Sequence, residues 1–267
     1  MGATYPKGVE APATTDEAEG WITAVLGLPE LGFRVPWLRE KWQQEPVPRL
    51  ARALDRLAER GQFAEPRARE TMVAVALALV HERESPLVVA LRQQAKVGAH
   101  LNLDRLVRDS LTEVSPAESQ SRTPAYRKGR ELTLGERRSL ARKPSRIDLQ
   151  KLLFDPDPLV LRQLLSSSKL TESDVMRIAT LRPARLVALD ELVQSFRWMA
   201  RRRVRLSLIL NPGCPHGIAL PLISICPRDD LELIVSSTTI SPSLRGVAVE
   251  LMEKLPPLAR SSDSALQ

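Results

Sequence analysis

The chain contains 267 residues and carries a formal net charge of +7, with 43% hydrophobic and only 4% aromatic residues. This length suits two ordinary domains or one long array of repeats, and the shortage of aromatic side chains requires an aliphatic core. Aliphatic cores are typical of layered helices rather than of β-sandwiches, and no segment alternates apolar and polar residues far enough to predict a sheet. The composition therefore predicts an all-α protein.

The sequence disfavours a membrane-spanning or secreted protein. The longest uncharged apolar run, Met72 to Val80, is far shorter than the roughly 20 residues that span a bilayer. The N-terminus also lacks the apolar stretch of a signal peptide. The two cysteines, Cys214 and Cys226, form no CxxC pair. We therefore expect no membrane insertion and a reduced, cytoplasmic environment.

The excess positive charge is confined to two blocks. Residues 1–120 carry 15 basic and 17 acidic side chains, whereas residues 121–152 carry 10 basic and 3 acidic ones. Residues 182–205 carry 7 basic and 2 acidic side chains. Blocks of this kind attract acidic proteins or nucleic acid, so both are candidate partners.

The N-terminal half is predicted to form a small helical unit over residues 16–111, after a disordered stretch at 1–15 that is rich in Pro, Thr and Ala. Its first helix starts near Asp16, and a short second helix around Trp37 follows the turn-forming residues at 27–36. Later helices are expected in four segments bounded by Pro, Ser and Gly residues: Pro46–Gly61, Pro66–His81, Ser85–Lys96 and Leu101–Leu111.

Residues 112–133 break this pattern. The stretch SPAESQSRTPAYRKGR is rich in Ser, Pro, Arg and Lys and offers almost nothing to bury. Such a composition is typical of a mobile connection, so we interpret 112–133 as a basic flexible linker.

In the C-terminal half a short pattern recurs, in which an apolar stretch leads into a small polar corner and a second apolar stretch follows. Ser145, Thr171 and Ser241 stand where helix N-caps are needed. The apolar residues near the corners form four stripes, and within each stripe they are spaced three or four apart: Val175, Ile178 and Leu181; Leu186, Leu189 and Val193; Ile218, Leu222 and Ile225; Leu244, Val247 and Leu251. Short helices of this kind cannot bury their apolar faces alone. We therefore predict an array of stacked helix pairs over 134–257, with a disordered tail at 258–267.

The corners DPDPLVLRQLL, from Asp155, and VRLSLILNPGCP, from Val204, resemble bacterial HEAT-like repeats of the leucine-rich-repeat-variant and armadillo-like kind. The similarity covers Leu134 to Leu255. It implies an α-solenoid of HEAT-like helix pairs, stacked with a right-handed twist around a concave binding face. It implies no reaction, because such repeats serve many partners.

The sharpest candidate site lies between Phe196 and Arg205, where five arginines fall within nine residues beside a tryptophan. Its members are Arg197, Trp198, Arg201, Arg202, Arg203 and Arg205. If the segment is one helix, Arg197 and Arg201 share one solvated face, and Arg202 lies on another with Arg205. The cluster fits an ordinary solvated face, a docking patch for an acidic partner, or a phosphate-binding stripe with a stacking platform.

A second basic group straddles the linker and the first helix of the array. Its candidate binding residues are Arg138, Arg142 and Lys143. Such charges often serve solubility alone, but on one concave face with the first cluster they would favour DNA or RNA. HEAT-like DNA glycosylases use a cationic groove of this kind. They also need a positioned carboxylate and an aromatic wall, which this sequence does not single out.

No cofactor or metal site is predicted. Cys214 and His216 supply two ligands where zinc needs three or four, and Cys226 is expected on a buried helix face. Cys214 takes the place that Leu170 and Ile240 take in other corners, which favours a structural role. The sequence has none of the common nucleotide-binding, serine-hydrolase or zinc-protease motifs, and no histidine stands near a plausible nucleophile. We therefore assign no catalytic residue.

Three functional hypotheses remain. The repeat pattern favours a non-catalytic interaction or scaffold protein that docks an acidic or phosphorylated partner on its arginine-rich surface. The alternative is a nucleic-acid-binding protein that holds phosphates with the same basic patches. The third is an enzyme whose site is a deep, polar-lined pocket between the N-terminal helical unit and the array.

Overall fold

The computed structural model describes four stretches of the chain, residues 17–62, 65–108, 123–126 and 130–254. In these ranges the chain forms sixteen α-helices and no strand, so the predicted all-α class is confirmed. The segments expected to be disordered, 1–15 and 258–267, lie outside the described residues, as does most of the predicted linker.

Within residues 17–62 and 65–108 the chain forms six helices. They are α1 (Glu17–Leu26), α2 (Leu31–Trp42), α3 (Val47–Gln62), α4 (Pro66–His81), α5 (Pro86–Val97) and α6 (Leu101–Val107). The bounds of α4 match the predicted ones. Ser85 caps α5, because its hydroxyl accepts a hydrogen bond from the backbone N–H of Val88 at 3.4 Å. The apolar stripe of α3 is buried, with Leu50 and Leu54 each 1% exposed.

The predicted start of the second helix was wrong. α2 begins at Leu31 rather than near Trp37, so Pro36 lies inside the helix. Proline removes one intrahelical hydrogen bond, but the longer helix buries Val35, Trp37 and Trp42. Tertiary burial of these large side chains outweighs the local preference of proline for a helix start.

The predicted end of the sixth helix was also wrong. α6 ends at Val107 rather than at Leu111. The backbone of Arg108 is extended, with φ −50° and ψ 135°. Its guanidinium forms ion pairs with Asp104 (2.9 Å) and with Glu250 near the end of the chain (3.0 Å). A contact with a residue this distant in sequence could not be predicted from the local pattern.

The described residues after 108 form ten helices, most of them short. They are α7 (Leu134–Arg142), α8 (Arg146–Leu152), α9 (Pro158–Leu165), α10 (Glu172–Ala179), α11 (Leu186–Val193), α12 (Phe196–Met199), α13 (Arg202–Ile209), α14 (His216–Ile223), α15 (Arg228–Ser236) and α16 (Pro242–Lys254). Isolated helices shorter than about 12 to 15 residues are marginal in water. These helices therefore depend on caps and on contacts with their neighbours.

Side-chain caps begin several of these short helices, as the sequence predicted. The Ser145 hydroxyl accepts from the backbone at the start of α8. Thr171 and Asp174 form a complete capping box at the start of α10, with a hydroxyl-to-carboxylate distance of 2.6 Å. The Ser241 hydroxyl accepts from the N–H of Leu244 in α16 at 3.3 Å. The three predicted N-caps are confirmed.

Most of the predicted apolar stripe residues of the array are buried: Val175, Ile178, Leu189, Val193, Ile218, Leu222, Leu244, Val247 and Leu251. α7 packs against α9, α9 against α11, α10 against α13, and α14 against α16. α4 and α6 also pack against α14. One hydrophobic core therefore extends from the N-terminal helices into the array.

Polar side chains join turns that lie about 30 residues apart in the chain. The Asp155 carboxylate, which is fully buried, accepts hydrogen bonds from the Tyr126 hydroxyl (2.5 Å) and the Arg137 guanidinium (2.6 Å). Arg185, 30 residues further on, donates to the backbone carbonyl of Asp155. The expectation that residues 112–133 offer almost nothing to bury was therefore wrong at Tyr126, which is 6% exposed.

Side-chain hydrogen bonds to the backbone also join the next two turns. Asn211 donates from Nδ2 to the carbonyl oxygens of Ala179 (2.7 Å) and Leu181 (3.1 Å), 32 and 30 residues earlier. The two turns approach so closely that a Cβ atom at Gly213 would lie 2.5 Å from the Cβ of Ala184. Glycine is therefore required at position 213.

Candidate interaction surface

The arginine-rich segment from Phe196 to Arg205 is not one helix, which corrects the arrangement considered from the sequence. α12 ends at Met199 and α13 begins at Arg202. Between them the backbone of Arg201 is extended, with φ −83° and ψ 118°. The arginines therefore do not follow a single helical periodicity, and each has its own surroundings.

Trp198 belongs to the interior. Its side chain is 4% exposed, and its indole N–H donates to the carbonyl oxygen of Leu165 at 2.7 Å. The guanidinium of Arg197 lies over the indole ring, 4.5 Å from the ring centroid, and donates to the carbonyl oxygen of Ser167 at 3.2 Å. A ring in this position is covered by its own chain and cannot serve as a platform for a stacked base.

Arg202 and Arg205 are also committed to intramolecular contacts. Arg202 donates from two nitrogens to the buried carboxylate of Asp230, at 2.7 and 2.8 Å, and this hydrogen bonding raises the pKa of Arg202. Arg205 donates to the carbonyl oxygens of Met199 (2.7 Å) and Ala200 (3.0 Å), which close the end of α12. Burial lowers the pKa of Arg205. Both arginines stabilise the junction of α12 and α13.

Arg202 takes part in an arrangement that recurs along the array. It is the first residue of α13 and binds Asp230, the third residue of α15, 28 positions further on. Arg146 is the first residue of α8 and binds Asp174, the third residue of α10, also 28 positions further on and at 2.9 Å. Neither pair was predicted from the sequence, although the equal spacing of Arg and Asp could have indicated both.

The carboxylate of Asp174 illustrates how such a pair is held. Burial opposes its charge, but hydrogen bonds from Thr171 and Arg146 outweigh burial and lower the pKa of Asp174. The residue thus joins the cap of its own helix to the start of a neighbouring one.

Five of the predicted site residues remain available to a partner. Arg201 and Arg203 are exposed and form no hydrogen bond or ion pair through their side chains within the described ranges. The same is true of three residues in and directly after α7: Arg138, Arg142 and Lys143 are exposed, and their side chains form no hydrogen bond or ion pair within the described ranges. We call these five residues the outer cations.

The cysteines and the nearby histidine are partly or fully buried. Cys214 is buried, and burial raises the pKa of its thiol to about 12. The prediction for Cys226 was wrong, because it lies in the turn after α14 rather than on a helix face. His216 contacts the hydroxyl of Ser241 at 2.8 Å. Among the described residues no three His, Cys, Asp or Glu side chains are grouped so as to hold a metal ion.

The fold and this surface define the class as an all-α protein of many packed short helices. Comparison of the chain with known protein families, with curated proteins and with solved structures found no match. In the part of the chain that the structure describes, no helix combines the length and hydrophobicity needed to cross a lipid bilayer.

Proposed function

We propose that this chain is a helical-repeat interaction protein, whose short helices form a HEAT-like α-solenoid that docks an acidic or phosphorylated protein segment. The recurring ties support the solenoid. Hydrogen bonds and ion pairs join residues 28 to 32 positions apart at the starts of helices and at the turns between them. Units of similar size that contact their neighbours through similar bonds are typical of repeat proteins.

The docking proposal rests on the difference between arginines that are bound to internal acceptors and arginines whose side chains are exposed and unpaired within the described residues. Arg202 is bound to a buried carboxylate, whereas Arg201 and Arg203 on either side of it are exposed and unpaired within the described chain. A guanidinium without an internal acceptor keeps its donors available for a carboxylate or phosphate, which it binds through two parallel hydrogen bonds. Arg138 and Arg142 offer the same chemistry on α7.

Charge reversal at two of the outer cations tests the proposal. In the double variant Arg201→Glu, Arg203→Glu, capture of the partner proteins identified with the unaltered chain should fall about tenfold or more, since charge-assisted hydrogen bonds are lost. The matched control is Arg52→Glu, Arg56→Glu, which reverses two exposed arginines of α3 whose side chains have no partner among the described residues. Quantitative mass spectrometry after affinity capture gives the readout, and circular dichroism verifies the helical content of both variants.

Equal capture by the outer-cation variant and the unaltered chain would contradict the proposal. Loss in the α3 control to the same degree would show a general charge effect instead. Anisotropy titrations with a short DNA duplex and a single strand separate the nucleic-acid alternative. Binding that falls steeply with salt and disappears in the Arg201→Glu, Arg203→Glu variant would replace the acidic-protein proposal.

A further inference from the structure

A cleft of about 410 Å³ opens where the N-terminal helices meet the array. Residues of α4, α5 and α6 form one side, and residues of α11 and the beginning of α14 form the other. The volume lies within the range of about 300 to 1,000 Å³ that is usual for small-molecule sites. None of the outer cations lines this cleft, so a ligand here would be independent of the proposed docking function.

Much of the lining is apolar. Leu79, Val88, Leu106 and Leu220 contribute side chains from four different helices, and each is at most 4% exposed. Leu186, at the start of α11, adds a partly exposed aliphatic side chain. These residues offer a surface for the apolar body of a ligand.

Three arginines and two carboxylates form the charged part of the lining, and Arg108 is paired with Asp104 and Glu250, which do not line the cleft. Arg83, Arg92 and Arg108 line the cleft together with Glu84 and Asp190. Arg83 binds Asp190 at 2.9 Å and Glu84 at 3.3 Å. Burial raises the pKa of Asp190, and the charge on Arg83 lowers it.

The N-terminus of α14 adds positive potential at the same place. Pro215, in the N-cap position, has no side-chain acceptor for the first N–H groups of the helix, and it lines the cleft with Gly217. A Cβ atom at Gly217 would lie 3.3 Å from the Cβ of Arg83. The missing side chain therefore lets Arg83 lie against the first turn of α14, where the helix dipole favours negative charge.

We propose that this cleft binds a small organic anion with an apolar body, such as an aryl or acyl carboxylate, a sulfonate or a phosphate ester. The apolar body packs against Leu79, Val88, Leu106 and Leu220. The anionic group lies at Arg83 and the first turn of α14.

Two fluorescent probes test the chemical class. 8-Anilinonaphthalene-1-sulfonate has an aromatic body and a sulfonate, and N-phenyl-1-naphthylamine has the same aromatic body without the charge. Titration of the full chain should give saturable, one-to-one binding of the sulfonate. The neutral probe should bind at least about fivefold more weakly, because it lacks the group that Arg83 holds. Equal affinity for the two probes would overturn the anionic specificity.

Substitutions locate the binding. Leu186→Trp fills the cleft from the α11 side and should weaken binding of the sulfonate about tenfold or more. The matched control is Val73→Trp, which fills a second cleft of about 250 Å³. That cleft lies between α3, α4, residues 224–227 and the last two helices, so the substitution should leave the titration unchanged. Equal loss in the two variants, or no loss in Leu186→Trp, would overturn the proposal.

A third variant covers the case in which Leu186→Trp fails to fold. Arg83→Gln should weaken binding of the sulfonate about tenfold and leave the affinity of the neutral probe unchanged. If Arg83→Gln affects both probes equally, or neither, the anionic group does not lie at Arg83. Thermal melting followed by circular dichroism verifies that each variant is folded.

Discussion

The six N-terminal helices and the short helices of the array are stabilised in different ways. Four of the first six helices have 12 to 16 residues, and α3 presents a long buried stripe that includes Leu50 and Leu54. The helices from α7 to α15 have nine residues or fewer. Buried carboxylates lie in a turn, at Asp155, and in the first turn of two of these helices, at Asp174 and Asp230; each is at most 4% exposed.

This difference follows from helix length. A helix of three or four turns covers enough apolar surface to be held mainly by packing. A helix of two turns covers less, and a larger share of its backbone groups lies at its ends, where no intrahelical partner exists. The array therefore depends more on polar contacts at its turns, and substitutions there should reveal that dependence.

The largest effect is expected at the buried carboxylate that joins the first turns. Asp155→Ala leaves the Arg137 guanidinium buried without its partner and removes the acceptor of the Tyr126 hydroxyl. The free energy of unfolding should fall by about 3 to 5 kcal/mol. Urea denaturation measures the change. Asp229→Ala, at an exposed position of α15, is the control and should stay within about 0.5 kcal/mol of the unaltered chain. Similar losses of stability in both variants would contradict the view that polar contacts at the turns stabilise the short helices.

The stability of the contact between α4 and the helices α11 and α12 should depend on pH through His81. Its ring stacks on Phe196 at 5.4 Å between centroids and hydrogen-bonds the carbonyl oxygen of Val193 at 3.1 Å. Burial, with the charge of Arg39, lowers the pKa of His81 from 6.5 to about 4. Because the unfolded chain binds this proton more readily, stability is lost as the pH falls below about 6.5, and the loss continues down to about 4.

Between pH 7 and pH 5 the loss from this residue amounts to about 2 kcal/mol. His81→Phe and His81→Gln should each remove that part of the pH dependence, as measured by urea denaturation at the two pH values. If both variants lose as much stability at pH 5 as the unaltered chain does, His81 is not the group responsible.

Neighbouring arginines should differ in their effect on stability. Arg202→Gln removes the ion pair with Asp230 and leaves that carboxylate buried, so the free energy of unfolding should fall by about 1 kcal/mol. The value is modest because half of the Arg202 side chain is solvated. Arg203→Gln should change stability by less than about 0.5 kcal/mol. Thermal melts of the two variants measure the difference. If Arg203→Gln loses more stability than Arg202→Gln, Arg203 is not an unpaired arginine, and the docking proposal loses its support.

A single cap should have the smallest effect. Thr171→Ala removes the hydroxyl that begins α10 and should lower the free energy of unfolding by about 1 kcal/mol or slightly less. Ser173→Ala, two positions further on and exposed, is the control and should leave stability within about 0.5 kcal/mol. A null result at Thr171 would show that packing alone holds the short helix.

Much of the helical pattern could be predicted from the chain because its signals are local. Ser145, Thr171 and Ser241 each cap a helix by accepting from the backbone N–H three residues further on, and the apolar stripes reflect a period of 3.6 residues. The exceptions had tertiary causes. Pro36 lies inside a helix whose tryptophans are buried, and Arg108, directly after the end of α6, forms an ion pair with the distant Glu250.

The candidate site was less predictable for the same physical reason. The sequence alone determined that the region around Arg202 is strongly basic, since charge is a property of composition. Only the tertiary structure decided that Arg202 and Arg205 are bound internally while Arg201 and Arg203 stay exposed. An ion pair with an acceptor 28 residues away exists only once helices are stacked, and the stacking depends on the whole core.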